Sequence, residues 1–385
     1  MIARMAIRPL LIMIISAALF LTACGGADPA STPAPAGTPL PRLAVEGPPC
    51  QYIYWGPYHN VRTTCVEVVL DDVPPSEAVP ALWGLAFAPD DTLFAARTAQ
   101  GEIWAMRDID GDKFLDAPVT VAAGLQWPLA LAWHADALYV LTSAQVLRLD
   151  QDVAGLWRAP VVLVDDLATD TGYWPGSIGI GPDERLYVTT GADCVACADA
   201  QNGQLLSFDL SGGDRRVEAT GLHHPTDFAW HPDTGDLWLA ESAPVESGSA
   251  NDTLRWLDGE SLTAAWKFPM QSNPWGMVFY EDDAFPFWEG TLVVALYGSA
   301  TQPEPAGYAV QVVGLGNDGL PNGLSEPLAP VDVYRWARES SAQYSLAGEG
   351  FFPYHPVDVV VSAEGWLYVS MAEGRIFRFR PRPAS

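Results

Sequence analysis

The chain has 385 residues, 49% hydrophobic and 17% charged, enough to bury a large core, while 33 prolines and 34 glycines exclude an architecture of long helices. Its formal charge is −27, and only two of its twenty basic residues, Lys113 and Lys267, are lysines, which excludes a nucleic-acid backbone as a partner. The acidity is that of a well-solvated surface.

The N-terminus reads as a targeting segment. Arg4 and Arg8 precede the apolar run "PLLIMIISAALFL", too short and wrongly flanked for a membrane span, and the run ends in "LTAC". This junction resembles the lipobox of bacterial lipoproteins, which implies cleavage before Cys24 and a lipid on that cysteine. The tract "GGADPASTPAPAGTPLP" that follows cannot bury apolar surface and reads as a tether. Residues 1–23 are expected to be a removed signal, 24–41 a tether and 42–385 the folded body. The product is expected outside the cytoplasm, anchored to a bacterial membrane through Cys24, and monomeric.

Without Cys24, four thiols remain in two local pairs, Cys50 with Cys65 and Cys194 with Cys197, and two disulfides are expected in an exported protein. "CVAC" is followed by Ala198 where haem attachment needs a histidine. A four-cysteine zinc site is the alternative.

From Leu82 onward one phrase recurs. "LWGLAFAPDDTLFAARTAQGEIWAM", "PLALAWHADALYVLTSAQVLRL" and "PGSIGIGPDERLYVTTG" are the first three copies. "HPTDFAWHPDTGDLWLAES", "NPWGMVFYEDDAFPFWEGTLVVALYGS" and "HPVDVVVSAEGWLYVSMAEGRIFRF" complete a set of six. Each alternates apolar and polar residues, turns on Pro-Asp, Asp-Gly or Glu-Gly chemistry, and resumes in an aromatic and β-branched strand. One further apolar stretch separates successive copies: "VTVAAGL", "PVVLVDDL", "RRVEATGL", "LTAAWKF" and "APVDVYRW". Four strands per unit and six units predict an all-β, six-bladed β-propeller. The sixth such stretch is missing at the C-terminus, and "TCVEVVLDDV", near the N-terminus, is expected to supply it and close the ring.

A propeller gathers the starts of its inner strands at one rim, where function concentrates. The residues there are Trp83, Trp127, Trp174, His223 with His224, Trp275, and Tyr354 with His355. Tryptophans in such a place either plug the channel or hold a flat ligand between aromatic faces.

These motifs, over about residues 65 to 380, resemble the glucose/sorbosone dehydrogenase family, six-bladed quinoproteins that bind pyrroloquinoline quinone (PQQ). The carriers are "LWGLAFAPDDTLFAA", "GIGPDERLYVTTG", "GLHHPTDFAWHPDTGDLWLAE", "FPFWEGTLVVALYGS" with "GYAVQVV", and the sixth copy. The resemblance implies a PQQ-dependent sugar dehydrogenase, with Trp174, His223, His355 and Trp275 toward the cofactor. It also implies a histidine base a few residues before the "GPD" turn. Here "TGYWPGSI" puts Tyr173 or Trp174 at that place, and neither matches an imidazole in proton affinity. His223 stands where the family has arginine, His224 where it has asparagine, and His355 replaces a second arginine. Tyr173, His223 and His224 are the catalytic candidates, and the three histidines either line the channel or converge as a relocated base or a metal site.

"RDIDGDKFLD" alternates Asp108, Asp110 and Asp112 around Gly111, with Asp116 beyond, a pattern suited to calcium or to a plain polar turn. "HPDTGD" from His231 reads as a hairpin turn. Two other functions remain beside the dehydrogenase: a non-catalytic propeller that binds a carbohydrate or an envelope protein, and a metal-assisted lactonase-type hydrolase.

Overall fold

The first strand, β1 (Thr64–Leu70), lies beside the last one, and that pairing closes the molecule. The computed structural model describes residues 64–71, 73, 79–167, 174, 176–192, 203–243, 251–258, 261–299, 306–329 and 354–382, all within one unit, Ala44–Ser385. Tyr173, Cys24, Cys50, Cys194 and Cys197 lie outside these residues, as do the signal and tether expected from the sequence.

Blade one is β2 (Leu85–Phe87), β3 (Leu93–Arg97), β4 (Glu102–Met106) and β5 (Val119–Ala122). Blade two is β6 (Pro128–His134), β7 (Ala137–Thr142), β8 (Val146–Asp150) and β9 (Val161–Val164), and blade three is β10 (Ile178–Ile180), β11 (Leu186–Thr190), β12 (Gly203–Phe208) and β13 (Arg216–Leu222). Blade four is β14 (His224–Trp230), β15 (Leu237–Ser242), β16 (Thr253–Asp258) and β17 (Ser261–Lys267), and blade five is β18 (Pro274–Tyr280), β19 (Thr291–Leu296), β20 (Ala309–Leu315) and β21 (Pro321–Ala329). In blade six β22 (Pro356–Val361), β23 (Leu367–Met371) and β24 (Arg375–Pro381) take β1 as their fourth strand, with Val66 opposite Phe379 and Val68 opposite Phe377. The chain is a six-bladed β-propeller of four-stranded antiparallel sheets, closed by its N-terminal strand.

One outer strand differs from the sequence reading. "APVDVYRW" was expected to complete blade five, but β21 does so, with Ser325 opposite Val313. Its sequence, "PNGLSEPLA", has little strand propensity, and the edge offered by β20 overrides that weakness.

Buried side chains fall into six clusters, one between each pair of neighbouring blades. Leu85 and Leu93 of blade one, for instance, meet Trp366 and Tyr368 of blade six. Each fully buried leucine or phenylalanine adds about 1.5–3 kcal/mol, so the blade interfaces carry the stability.

The inner ring is tighter still. A Cβ at Gly84 would lie 2.6 Å from the Leu129 carbonyl oxygen, one at Gly176 2.2 Å from that of Pro225, and one at Gly276 2.6 Å from the Asp358 Cα. Blades one, three and five thus press their inner strands onto blades two, four and six. In the other direction two carboxylates clamp. Asp227 accepts the Met277 amide at 2.7 Å, and Asp358 accepts the Leu85 amide at 2.7 Å. Blade two has Ala130 at the matching step after its rim proline.

Candidate functional site

The rim residues meet as the repeat requires. Trp83 and Trp275 stack with centroids 4.8 Å apart and planes at 6°, and Trp83 lies 6.3 Å from Trp174. These three belong to blades one, five and three, none adjacent in the ring, so their rings meet across the propeller axis. Trp127 packs on Trp174 at 4.7 Å, and His224 meets Trp275 edge-on at 6.4 Å. On the other side Trp275 continues to Tyr297 at 3.9 Å, Tyr297 to His355 at 4.3 Å, and His355 to Tyr308 at 4.8 Å. Tyr297 and Tyr308 escaped the sequence reading. Their only signal was an aromatic residue at the end of a strand and another just before the next.

Two rim residues are held in unusual backbone. Trp127 has φ +47° and Tyr308 φ +56°, a region bulky side chains avoid. Such strain persists where surrounding structure enforces it, and it concentrates at ligand sites. Trp127 is also 38% exposed, a large ring offered to solvent beside Trp174.

The three histidines sit at this rim but differ in role. His223 is buried, its Nδ1 is 3.3 Å from the Ser242 carbonyl oxygen, and burial lowers its pKa. Burial, with the neighbouring His223 adding to it, pushes His224 down to about 3. Both are neutral at pH 7. His355 has what the sequence did not reveal, a carboxylate partner: its Nδ1 is 2.6 Å from Glu373 Oε1, and its backbone N–H donates to Glu373 Oε2 at 3.0 Å. Imidazole held by carboxylate is an arrangement that can take a proton from a hydroxyl group. Of the three histidines, His355 is the one equipped as a base.

The arginines near the rim are committed. Arg97 pairs with Glu102 at 2.5 Å, Arg255 with Glu241 at 2.5 Å, and Arg375 with Asp71 at 2.6 Å. Glu241 also accepts the His223 amide, and burial raises its pKa. Asp252, pushed up to about 6 by burial, accepts the amides of Ala243 and Asn273.

The aspartate loop follows β4, at the end of the blade opposite the rim. Asp108, Asp110 and Asp116 each bring one oxygen within 4.8 Å of the others, and this is the one group of three or more potential metal ligands among the described residues. Asp112, expected third, instead accepts the Phe114 amide, and Asp116 takes its place. A metal there does not serve the rim, so the described residues give the metal-assisted hydrolase no support. The "HPDTGD" segment forms the expected turn between β14 and β15. Cys65 is buried and disulfide-bonded.

Comparison with known proteins bears on the fold. The PQQ domain of pyranose dehydrogenase from Coprinopsis cinerea, a holo form, matches with TM-score 0.61 at 16% identity, over 82% of this chain and 95% of that one. The PQQ-bound aldose sugar dehydrogenase of Streptomyces coelicolor matches with TM-score 0.55 at 14% identity, over 83% and 98%. A calcium structure of a Trichoderma reesei carbohydrate-active enzyme of family AA12 matches with TM-score 0.62 at 13% identity, over 88% and 98%. This chain has their fold. The family described as "Strictosidine synthase-like, N-terminal" matches residues 353–379, the sixth copy of the repeat. No curated protein matches by sequence.

The described residues do not fit PQQ. Its several carboxylates call for unpaired guanidinium groups. Each described arginine at the rim already holds a carboxylate, two of the histidines are neutral, and tryptophans of three blades meet one another there.

Proposed function

We propose that the rim is a carbohydrate site and that the chain is a sugar-binding propeller. The observation that carries this reading is Trp127, exposed, held at positive φ and packed on Trp174, a flat apolar platform of the kind that stacks on a sugar ring. The structural relatives named above, a pyranose and an aldose dehydrogenase among them, support the same ligand class.

A second reading is favoured by one observation, the His355–Glu373 pair, which offers a proton acceptor at the rim: an oxidoreductase acting on a bound sugar, as the PQQ-bound structural relatives are, with no step assigned through a quinone that the described residues do not fit. Calcium at Asp108, Asp110 and Asp116 belongs to either reading as a structural ion. Export, the lipid on Cys24, and disulfides joining Cys50 to Cys65 and Cys194 to Cys197 belong to both.

The test is a titration of intrinsic tryptophan fluorescence with a panel of neutral aldoses, on the wild type and on Trp127→Gly. Saturable quenching that the variant loses supports the site, and no response to any sugar overturns it. The same protein incubated with PQQ and calcium, desalted, and offered aldoses with a redox dye separates the readings. Retained quinone with sugar-dependent dye reduction replaces the first reading by the second.

A further inference from the structure

Each blade ends in an outer strand that forms the free edge of its sheet: β5, β9, β13, β17, β21 and, in blade six, β1. A bare strand edge pairs readily with another chain, and proteins commonly guard against this with charged residues. Here β5 includes Thr120, β13 Arg216 and Glu218, β17 Lys267, β21 Glu326 and β1 Glu67. β9, "VVLV", has no polar residue at all, and its Val161 and Val162 are 53% and 50% exposed. Pro160 before it withholds one amide donor, and Leu163 is packed by blade three, where a Cβ at Gly212 would lie 2.3 Å from its carbonyl oxygen. The open part of the edge is therefore Val161 and Val162 with the residues that lead into them.

Those residues belong to one hairpin with β8. Arg148 is paired with Val161, the Arg158 amide donates to the Asp150 carbonyl oxygen at 2.9 Å, and Gln151 bridges to Trp157. Trp157 anchors the hairpin against Phe94 and Trp133, with ring centroids 5.6 and 6.4 Å away. At the tip Asp152 accepts the amides of Ala154 and Leu156 at 2.8 and 3.0 Å, a turn that holds Val153 and Leu156 out in solvent, 106% and 67% exposed. A single exposed apolar side chain is ordinary, but four on one anchored hairpin mark an interaction surface.

The charges at the two ends of β9 indicate the partner. Arg158 precedes the strand, and Asp165 and Asp166 follow it, all three exposed. Cations are scarce in this chain, and among the described arginines only Arg158 and Arg382 form no ion pair. Asp166 is held by Arg215 at 2.7 Å, with both side chains largely in solvent, a contact of small worth. Two β9 strands laid antiparallel bring Arg158 of each toward Asp165 and Asp166 of the other, with the valines between them, so the edge is complementary to itself. We infer that β9 is the interface of a two-fold dimer of this chain, in which the two blade-two sheets join edge to edge. This departs from the monomer expected from the sequence. The open edge is small beside the about 800 Å² per partner of a standard interface, and the like charge of two copies opposes their approach, so the dimer forms only as concentration rises.

The test is sedimentation velocity on the full chain over a wide range of concentration, at about 0.15 M salt, where the Debye length of about 8 Å screens the like charges. Expected is a concentration-dependent shift from monomer to dimer. Val162→Lys and Arg158→Asp should each weaken the dimer by about tenfold or more, and Asp165→Arg added to Arg158→Asp should restore it. Amide hydrogen exchange of the segment around Val161 and Val162, slowed as the wild-type concentration rises, reads the same contact without any variant, so a folding defect does not decide the outcome. A monomer throughout, or an association that no β9 variant weakens, overturns the inference, and association through the apolar run near the N-terminus would show as the second of these. A monomer that neutral lipid vesicles capture, and that Val162→Lys releases, also overturns it and gives the patch to a membrane surface.

Discussion

Glu67 of β1 and Arg378 of β24, 311 residues apart in sequence, lie 2.6 Å apart with both side chains out of solvent. Arg380 reaches the other Glu67 oxygen at 2.8 Å, so one buried carboxylate is shared by two buried guanidinium groups across the seam that closes the ring. The Arg378 guanidinium lies 4.7 Å from the Phe114 ring centroid and 5.1 Å from that of Trp366. Removing the charge of Glu67 takes the shared counter-charge from both arginines, a change that costs about 3–5 kcal/mol in buried pairs. Glu67→Gln is therefore expected to lower the unfolding free energy by about that amount in urea titration at pH 7. A loss below about 1 kcal/mol refutes this account of the seam.

The clamps at Asp227 and Asp358 make stability depend on pH. Burial raises the pKa of both, and for Asp227 the nearby Asp358 raises it further. The folded state therefore keeps protons that the unfolded chain releases near pH 4. The stabilisation this gives is complete below that pH and is lost as pH rises through the raised values. The urea midpoint should accordingly fall as pH rises above about 4, with a shallower fall in Asp227→Asn. A midpoint that climbs with pH in the wild type, or an unchanged slope in the variant, contradicts this.

The repeat was legible because each copy must bury the same alternate positions, so the strands β2, β6, β10, β14, β18 and β22, the turns and the closing β1 all followed from pattern. β21 did not, since "PNGLSEPLA" owes its strand to a neighbour's edge rather than to its own residues. The rim positions were readable for the same reason as the strands. Their partners were not: Glu373 reaches His355 only because the hairpin from β22 to β23 returns the chain to the rim, 18 residues later. No local signal marks such a meeting. Asp116 replaced Asp112 because alternation along a loop says nothing of how the loop folds back.

Close approach on the inner ring predicts an intolerant glycine. A methyl group at Gly276 would sit 2.6 Å from the Asp358 Cα and 2.7 Å from the Val357 carbonyl oxygen, backbone atoms that cannot swing aside. Gly276→Ala must part β18 from β22 next to the Asp358 clamp, an overpacking cost of about 1–3 kcal/mol. Thermal unfolding should shift down, and near-ultraviolet circular dichroism should change as Trp275 moves against Trp83. An unshifted melting temperature would show that the two strands are not packed this closely.

The aspartate loop gives a prediction that separates structure from sequence pattern. Asp108 accepts the amides of Gly111 and Lys113, and Asp116 accepts that of Ile109, which folds the loop so that Asp110 joins them within 4.8 Å. Calcium accepts such a set of carboxylate oxygens with water completing its shell, whereas magnesium demands stricter octahedral geometry. Because an ion bound only to the folded state stabilises by mass action, millimolar calcium should raise the melting temperature by a few degrees, and magnesium by less. Asp110→Asn should abolish the shift. Asp112→Asn should keep it, since Asp112 turns to the Phe114 amide instead. Loss of the shift in Asp112→Asn as well would return the site to the alternating trio read from the sequence, and no shift in the wild type would leave the loop a polar turn.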